Sequence, residues 1–476
     1  MARMIRLAVN TLIATALAAV VSAQTTTPPA LAGQVDEIFS RFTPGTPGCA
    51  VAVYQDGRIL LAKGYGSANL EYGVPITPAT PFIVGSVSKQ FTAAAIALLV
   101  EEKRLALTDD VRKYVPELAD HGTPITIDHL VHHTSGLRDW WELVELAGLR
   151  FDDTYAVPDV LEMTARQRGL NFTPGERYLY SNTGYLVLGI VVQRVTGQSL
   201  RDFAAERIFG PLMMADSHYQ DDHTQPVRGR AYAYSPVAGG RYAINVWNND
   251  LVGQGGVMTT VVDLAKWDEN FSTGRVGGAG FLKRQLERGR LNAGTTISYA
   301  FGVEVGTYRG LDLVEHTGST GGYRAVLTRF PKQKTSIAAL CNVTDAAPAT
   351  LAHRVADYLL RDAFTAPAPP VPATAGATGD RQGSAEVSVQ LSAAALENLA
   401  GRYYSDELNA TYEITVSGST LTLKRPRAVP ATLTARDAVT LRGSVGTLRF
   451  MVGSDGRPGS FVMDAGRVQN LTFVRR

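Results

Sequence analysis

The chain has 476 residues, 45% of them hydrophobic and 19% charged, with 46 basic and 44 acidic side chains for a formal charge of +2. That length exceeds what one hydrophobic core usually serves, so two domains are expected, each with its own core. The near-neutral, mixed charge excludes a disordered polyelectrolyte and offers no electrostatic footprint for a nucleic-acid partner.

Residues 1–23 place Arg3 and Arg6 before an apolar stretch too short to span a bilayer comfortably, followed by the small residues Val21-Ser22-Ala23. This reads as a signal peptide cut after Ala23, with a secreted or periplasmic product; an uncleaved N-terminal anchor is the alternative. Cleavage would leave 44 basic side chains against 44 acidic ones and no transmembrane segment. Next, GCAVAVYQDGRILLAKGYG reads as a β-hairpin turning at Asp56-Gly57, a dipeptide that accepts the positive φ angles of a tight turn. Over 91–105 the pattern becomes an alanine- and leucine-rich helix. The stretch after it mixes helices with loops punctuated by Pro and Gly, such as NFTPGERYLYSNTGY.

From about Tyr299 strands return, in FGVEV, YRAVLTRF and TSIAALCNV, before a final helix, LAHRVADYLLRDAF. Strands at both ends with helices between them predict an α+β fold: an antiparallel sheet flanked by helices, with an inserted helical subdomain over residues 34–363. Residues 364–388, rich in Pro, Ala, Gly and Thr, cannot bury a core and read as a linker. Residues 389–476 alternate apolar and polar side chains between Gly, Ser-Gly and Asp-Gly turns, which predicts a small all-β antiparallel barrel or sandwich. Cys49 and Cys341 fall in apolar strand-like runs; an exported protein would permit a disulfide, and two buried free thiols are the preferred reading.

The chemistry concentrates in three short motifs. Ser86-Val87-Ser88-Lys89 sets a hydroxyl and an amine one helical turn apart, where a neutral amine can take the hydroxyl proton. Burial or a nearby cation must keep that amine neutral, and the helix N-terminus favours negative charge on the attacked group. A motif this short occurs about once by chance in a chain of this length, and a solvated helix lysine is its ordinary explanation. Tyr180-Ser181-Asn182 adds a phenol that can shuttle a proton and an amide that can donate and accept hydrogen bonds; a tyrosine satisfying a loop backbone is the plainer alternative. His316-Thr317-Gly318-Ser319-Thr320-Gly321-Gly322-Tyr323 is either a turn or a strand edge whose glycines admit a ligand and whose amides polarise a carbonyl. The chain shows no metal-ligand spacing and no phosphate-binding glycine loop with its lysine.

Each motif occurs once, in this order, with His133-Thr134-Ser135-Gly136-Leu137 where the helical subdomain should begin. Together they make the chain resemble the serine beta-lactamase-related family, which includes class C beta-lactamases, D,D-peptidases, D-aminopeptidases and esterases. The resemblance implies a beta-lactamase/transpeptidase-like fold and a covalent acyl-enzyme on Ser86, with no metal or organic cofactor. It implies Lys89 as the base, Tyr180 as the proton relay, Asn182 as holder of substrate and of Lys89, and His316 as an orienting group. The oxyanion hole would come from the amides of Ser86 and Ser319, in the loop containing Gly318. Residues 389–476 resemble the lipocalin-like barrels appended to some members, which could cover the active site, bind wall material or only stabilise the fold.

One departure bears on substrate. Beta-lactamases of this family carry lysine where this chain has His316, and histidine ordinarily titrates near neutral pH, which weakens fixed attraction for a carboxylate. The expectation is therefore an esterase or a peptidase acting on small or D-configured peptides, including cell-wall peptide, with Arg324 as a carboxylate anchor or a mere solvated strand arginine. A beta-lactamase or D,D-carboxypeptidase is the alternative within the class. A non-catalytic wall-binding or sensor protein is the alternative outside it.

Overall fold

The computed structural model describes residues 29–368, 388–454 and 456–476. The expected signal peptide and most of the linker lie outside these residues. Six antiparallel strands form the main sheet, in the order Glu304–Tyr308, Leu311–Thr320, Tyr323–Phe330, Thr335–Cys341, Cys49–Gln55 and Arg58–Tyr65. The first hairpin turns at Asp56 and Gly57, with φ of 50° and 74°, the two consecutive positive angles that a tight turn between right-twisted strands requires.

One sheet face packs against the helices Pro29–Ile38 and Pro348–Leu359, through Val35, Val326, Val355 and their neighbours. The other face carries Lys89–Glu101 and Val261–Thr273, and beyond them the helical subdomain that includes Asn182–Thr196. Lys89–Glu101 is buried on nearly every side, which is why its sequence is apolar all round instead of striped.

Cys49 and Cys341 stand directly opposite each other on adjacent strands and form a disulfide, which corrects the expectation of free thiols. Their sequence separation is 292, and composition carries no information about strand register at that range.

The last eight strands, from Gly401–Ser405 to Val468–Arg475, close into an antiparallel barrel, as Tyr403 pairs with Arg475. Its interior is filled by Tyr403, Tyr412, Leu441, Phe461 and Phe473, all fully buried. The expectation of one core per domain is not met. A single buried apolar cluster runs from the helical side of the sheet into the barrel, and a second lies under the opposite sheet face. The barrel sits directly on the helix Trp140–Leu146, where Tyr412 donates to the Leu146 carbonyl at 2.7 Å. Among the described residues no helix is long and apolar enough to cross a membrane.

Candidate active site

Ser86 lies on a single 3₁₀ turn, Gly85–Ser88, that leads into Lys89–Glu101. Gly85 adopts φ of 52°, and a Cβ there would stand 2.6 Å from the Ser319 nitrogen. A Cβ on Gly318 would stand 1.9 Å from the Val84 carbonyl oxygen. Both glycines are therefore needed for strand Leu311–Thr320 to lie flush against the Ser86 turn, which puts the amides of Ser86 and Ser319 side by side.

Lys89 is fully buried. Its Nζ stands 3.0 Å from Ser86 Oγ, 2.9 Å from Asn182 Oδ1 and 2.6 Å from the Gln254 carbonyl oxygen. Among the described residues no carboxylate hydrogen-bonds it. Burial holds its proton affinity well below the ordinary lysine range; the Asp139 charge opposes that shift and the Arg467 charge adds to it. A neutral amine has two N–H bonds and one lone pair. The amide oxygen of Asn182 and the carbonyl of Gln254 take the two N–H bonds, so the lone pair faces the Ser86 hydroxyl.

Tyr180 precedes the helix Asn182–Thr196, and its ring centroid lies 4.7 Å from Lys89 Nζ. Burial pushes its phenol far above the usual range, while a hydrogen bond with Ser86 opposes this only in part. Tyr180 is thus a neutral phenol that can pass a proton on, and Lys89 a buried amine that can accept one. Asn182 is fixed at its own backbone, whose N–H donates to Asp139 Oδ2 at 2.6 Å.

His316 faces the same side of the sheet, opposite Leu327. Its Nδ1 donates to the Thr317 carbonyl at 2.6 Å, so Nε2 accepts from the Tyr299 hydroxyl at 2.9 Å. Burial, and then the charge of Lys89, push it down to about 4. The expectation of a histidine titrating near neutrality is corrected: this imidazole stays neutral because it is desolvated. Its ring centroid is 6.3 Å from that of Tyr180.

Ser86, Lys89, Tyr180, Asn182, His316, Gly318 and Ser319 come together; Arg324 does not. It alternates with Tyr323 and Ala325 and so points to the face shared with Val326, under the sheet, where its Nη1 donates to the carbonyls of Gly321 and Tyr323. Strand alternation decides this, since Tyr323 and Ala325 belong to the site side.

Several neighbours of the site were not assigned to it from sequence. His133, noted there only as part of the motif that opens the helical subdomain, has φ of 57°, packs its ring 4.2 Å from Tyr180 and 4.4 Å from Tyr299 and accepts from the Ser181 N–H. Asp139 caps the helix Trp140–Leu146, a position that an aspartate before an apolar run does signal. Arg467, on the barrel, had no local signal. Asp222, His223 and Asp250 bring three ligand atoms within 4.8 Å of one another, and His223 Nδ1 pairs with Asp250 at 2.8 Å.

The chain is similar to several known proteins. A D-aminopeptidase of Gluconobacter oxydans is 29% identical over 331 residues, covering 69% of this chain and 62% of that protein. The chain spans less than two thirds of the length of the D-aminopeptidases it matches. The octameric penicillin-binding protein homologue from Pyrococcus abyssi superposes with a TM-score of 0.61 at 23% identity, covering 94% of this chain and 99% of that one. The D-amino acid amidase from Ochrobactrum anthropi SV3 gives 0.57 at 20% identity, over 70% of this chain and 99% of the other. At these identities the two superpositions establish a shared fold. The sequence profile described as Beta-lactamase matches residues 31–360, most of the first domain and every motif residue in it: the chain belongs to the beta-lactamase family.

Proposed function

We propose that this protein is a serine hydrolase that forms an acyl-enzyme on Ser86 and cleaves small or D-configured peptide amides and related esters. The carrying observation is the buried Lys89 amine, 3.0 Å from Ser86 Oγ and, among the described residues, hydrogen-bonded by no carboxylate. In the first half-reaction Ser86 Oγ attacks the carbonyl carbon as its proton passes to Lys89. The negative oxygen is held by the amides of Ser86 and Ser319. Tyr180 then delivers a proton to the leaving amine, and the same groups activate water for deacylation.

The D-aminopeptidase relatives support a D-amino acyl substrate. A neutral His316 supplies no fixed cation for a substrate carboxylate, which favours amides and esters over penicillins and carboxy-terminal D-alanine. An exported location is supported by the segment before residue 24 and by the Cys49–Cys341 disulfide, a bond that oxidising compartments maintain.

The test is a panel of D-amino acid p-nitroanilides, their L-isomers, short p-nitrophenyl esters and nitrocefin, run on wild type and Ser86→Ala. Turnover of D-amides and esters above nitrocefin, lost in Ser86→Ala, is the expected result. Turnover that survives Ser86→Ala, or that is confined to nitrocefin, overturns the reading.

A further inference from the structure

The barrel's last hairpin, Pro458–Ala465 with Val468–Arg475, turns at Gly466 and Arg467 against the helix Trp140–Leu146. Arg467 anchors there through its guanidinium and its backbone N–H. Its Nε donates to Glu142 Oε1 at 2.9 Å, its backbone N–H donates to Glu142 Oε2, and its Nη1 lies 3.2 Å from Asp139 Oδ2. The guanidinium carbon is 5.9 Å from the centre of the Tyr180 ring. The rest of the hairpin is held independently, as Gln469 N–H donates to Asn171 at 2.7 Å, and Arg138 donates to the carbonyls of Gln469 and Asn470.

We propose that Arg467 is a positioning residue for catalysis: it neutralises Asp139, and so keeps Lys89 free to act as the base for Ser86. The inference rests on the serine-hydrolase reading above. The titratable groups that face Lys89 are Tyr180 and Tyr185 from the helix Asn182–Thr196 and the residues before it, His133, His316, Asp139 and Arg467. Burial keeps the two tyrosines and the two histidines neutral. Asp139 and Arg467 are therefore the charges, among these groups, that oppose and reinforce the effect of burial on the lysine. The carboxylate favours a protonated Lys89 and the guanidinium disfavours it, so the ion pair offsets part of the pull of Asp139. A cation also helps the later step, in which the protonated lysine must return its proton toward the leaving amine. The site is complete only when the second domain is docked.

The test measures the rate of Ser86 labelling by a fluorophosphonate against pH, which needs no knowledge of the natural substrate. In Arg467→Gln the acid limb of the profile moves up by about one pH unit. Arg467→Lys keeps the charge and holds the limb near its wild-type position. Asp139→Asn moves it down, so opposite signs separate electrostatics from simple damage, and Arg467→Met substitutes if the glutamine variant fails to fold. An unmoved limb in Arg467→Gln, or shifts of the same sign in the Arg467 and Asp139 variants, overturns the proposal while leaving the hydrolase reading intact. A wild-type protein that is not labelled at any pH overturns both.

Discussion

Lys89 and Arg138 are both buried cationic side chains, and the fold treats them in opposite ways. Arg138, 2% exposed, receives the Glu407 carboxylate, Gln167 Oε1 at 2.8 Å and the carbonyls of Gln469 and Asn470. Lys89 receives a hydroxyl, an amide oxygen and a carbonyl. A guanidinium keeps its charge anywhere in a protein, so it must be given a counter-charge when it is buried. An amine can lose its charge, and withholding a bonded carboxylate makes it do so. The first arrangement holds two domains together; the second prepares a base.

Substituting each residue by methionine probes that contrast most directly. Lys89→Met removes the base, and turnover falls by roughly 10²- to 10⁴-fold with the thermal transition kept or raised. Tyr180→Phe falls in the same range, because the relay is lost while packing is kept. Arg138→Met strands Glu407, 6% exposed, and costs about 3–5 kcal/mol of stability, read as a lower denaturant midpoint with the rate per folded molecule little changed. A Lys89→Met protein that melts like Arg138→Met would erase the distinction.

Two smaller effects concern pH. Lys89 binds its proton less readily folded than unfolded, so the unfolded chain holds the extra proton between the lowered value and the ordinary lysine range near 10.4. Stability therefore rises with pH across that window, and this part of the slope disappears in Lys89→Met, as urea titrations at several pH values would show. His316, at about 4 against an ordinary 6.5, stays neutral from pH 6 to 8. Its contribution is lost only as pH falls from 6.5 through 4. Imidazole NMR shifts that move near pH 6.5 would contradict this.

The helix tip, the tyrosine loop and the His316 strand were legible because each is a local pattern: residues one turn apart, or glycines beside the atoms they must clear. The hairpin at Asp56-Gly57 and the alternation of the barrel strands were legible for the same reason. Arg324 stayed open between an anchor and a plain strand arginine because strand parity depends on which face the subdomain covers, and that is decided by packing. Arg467 left no trace in its own surroundings, since its role comes from a domain interface some 330 residues from Asp139. The joined core escaped notice likewise: alternating strands announce a buried side, without saying whether the outer rim also rests on a neighbour.

The Cys49–Cys341 bond has a kinetic consequence. Every residue from Ser86 to Ser319 lies inside the ring it closes, and Arg467 lies on the tail outside. Bringing Cys49–Gln55 beside Thr335–Cys341 is the most distant pairing in the main sheet, and an oxidised chain begins refolding with that encounter already made. The hydrolase domain should thus recover from denaturant faster oxidised than reduced, whereas seating the tail on it would proceed at the same pace in both.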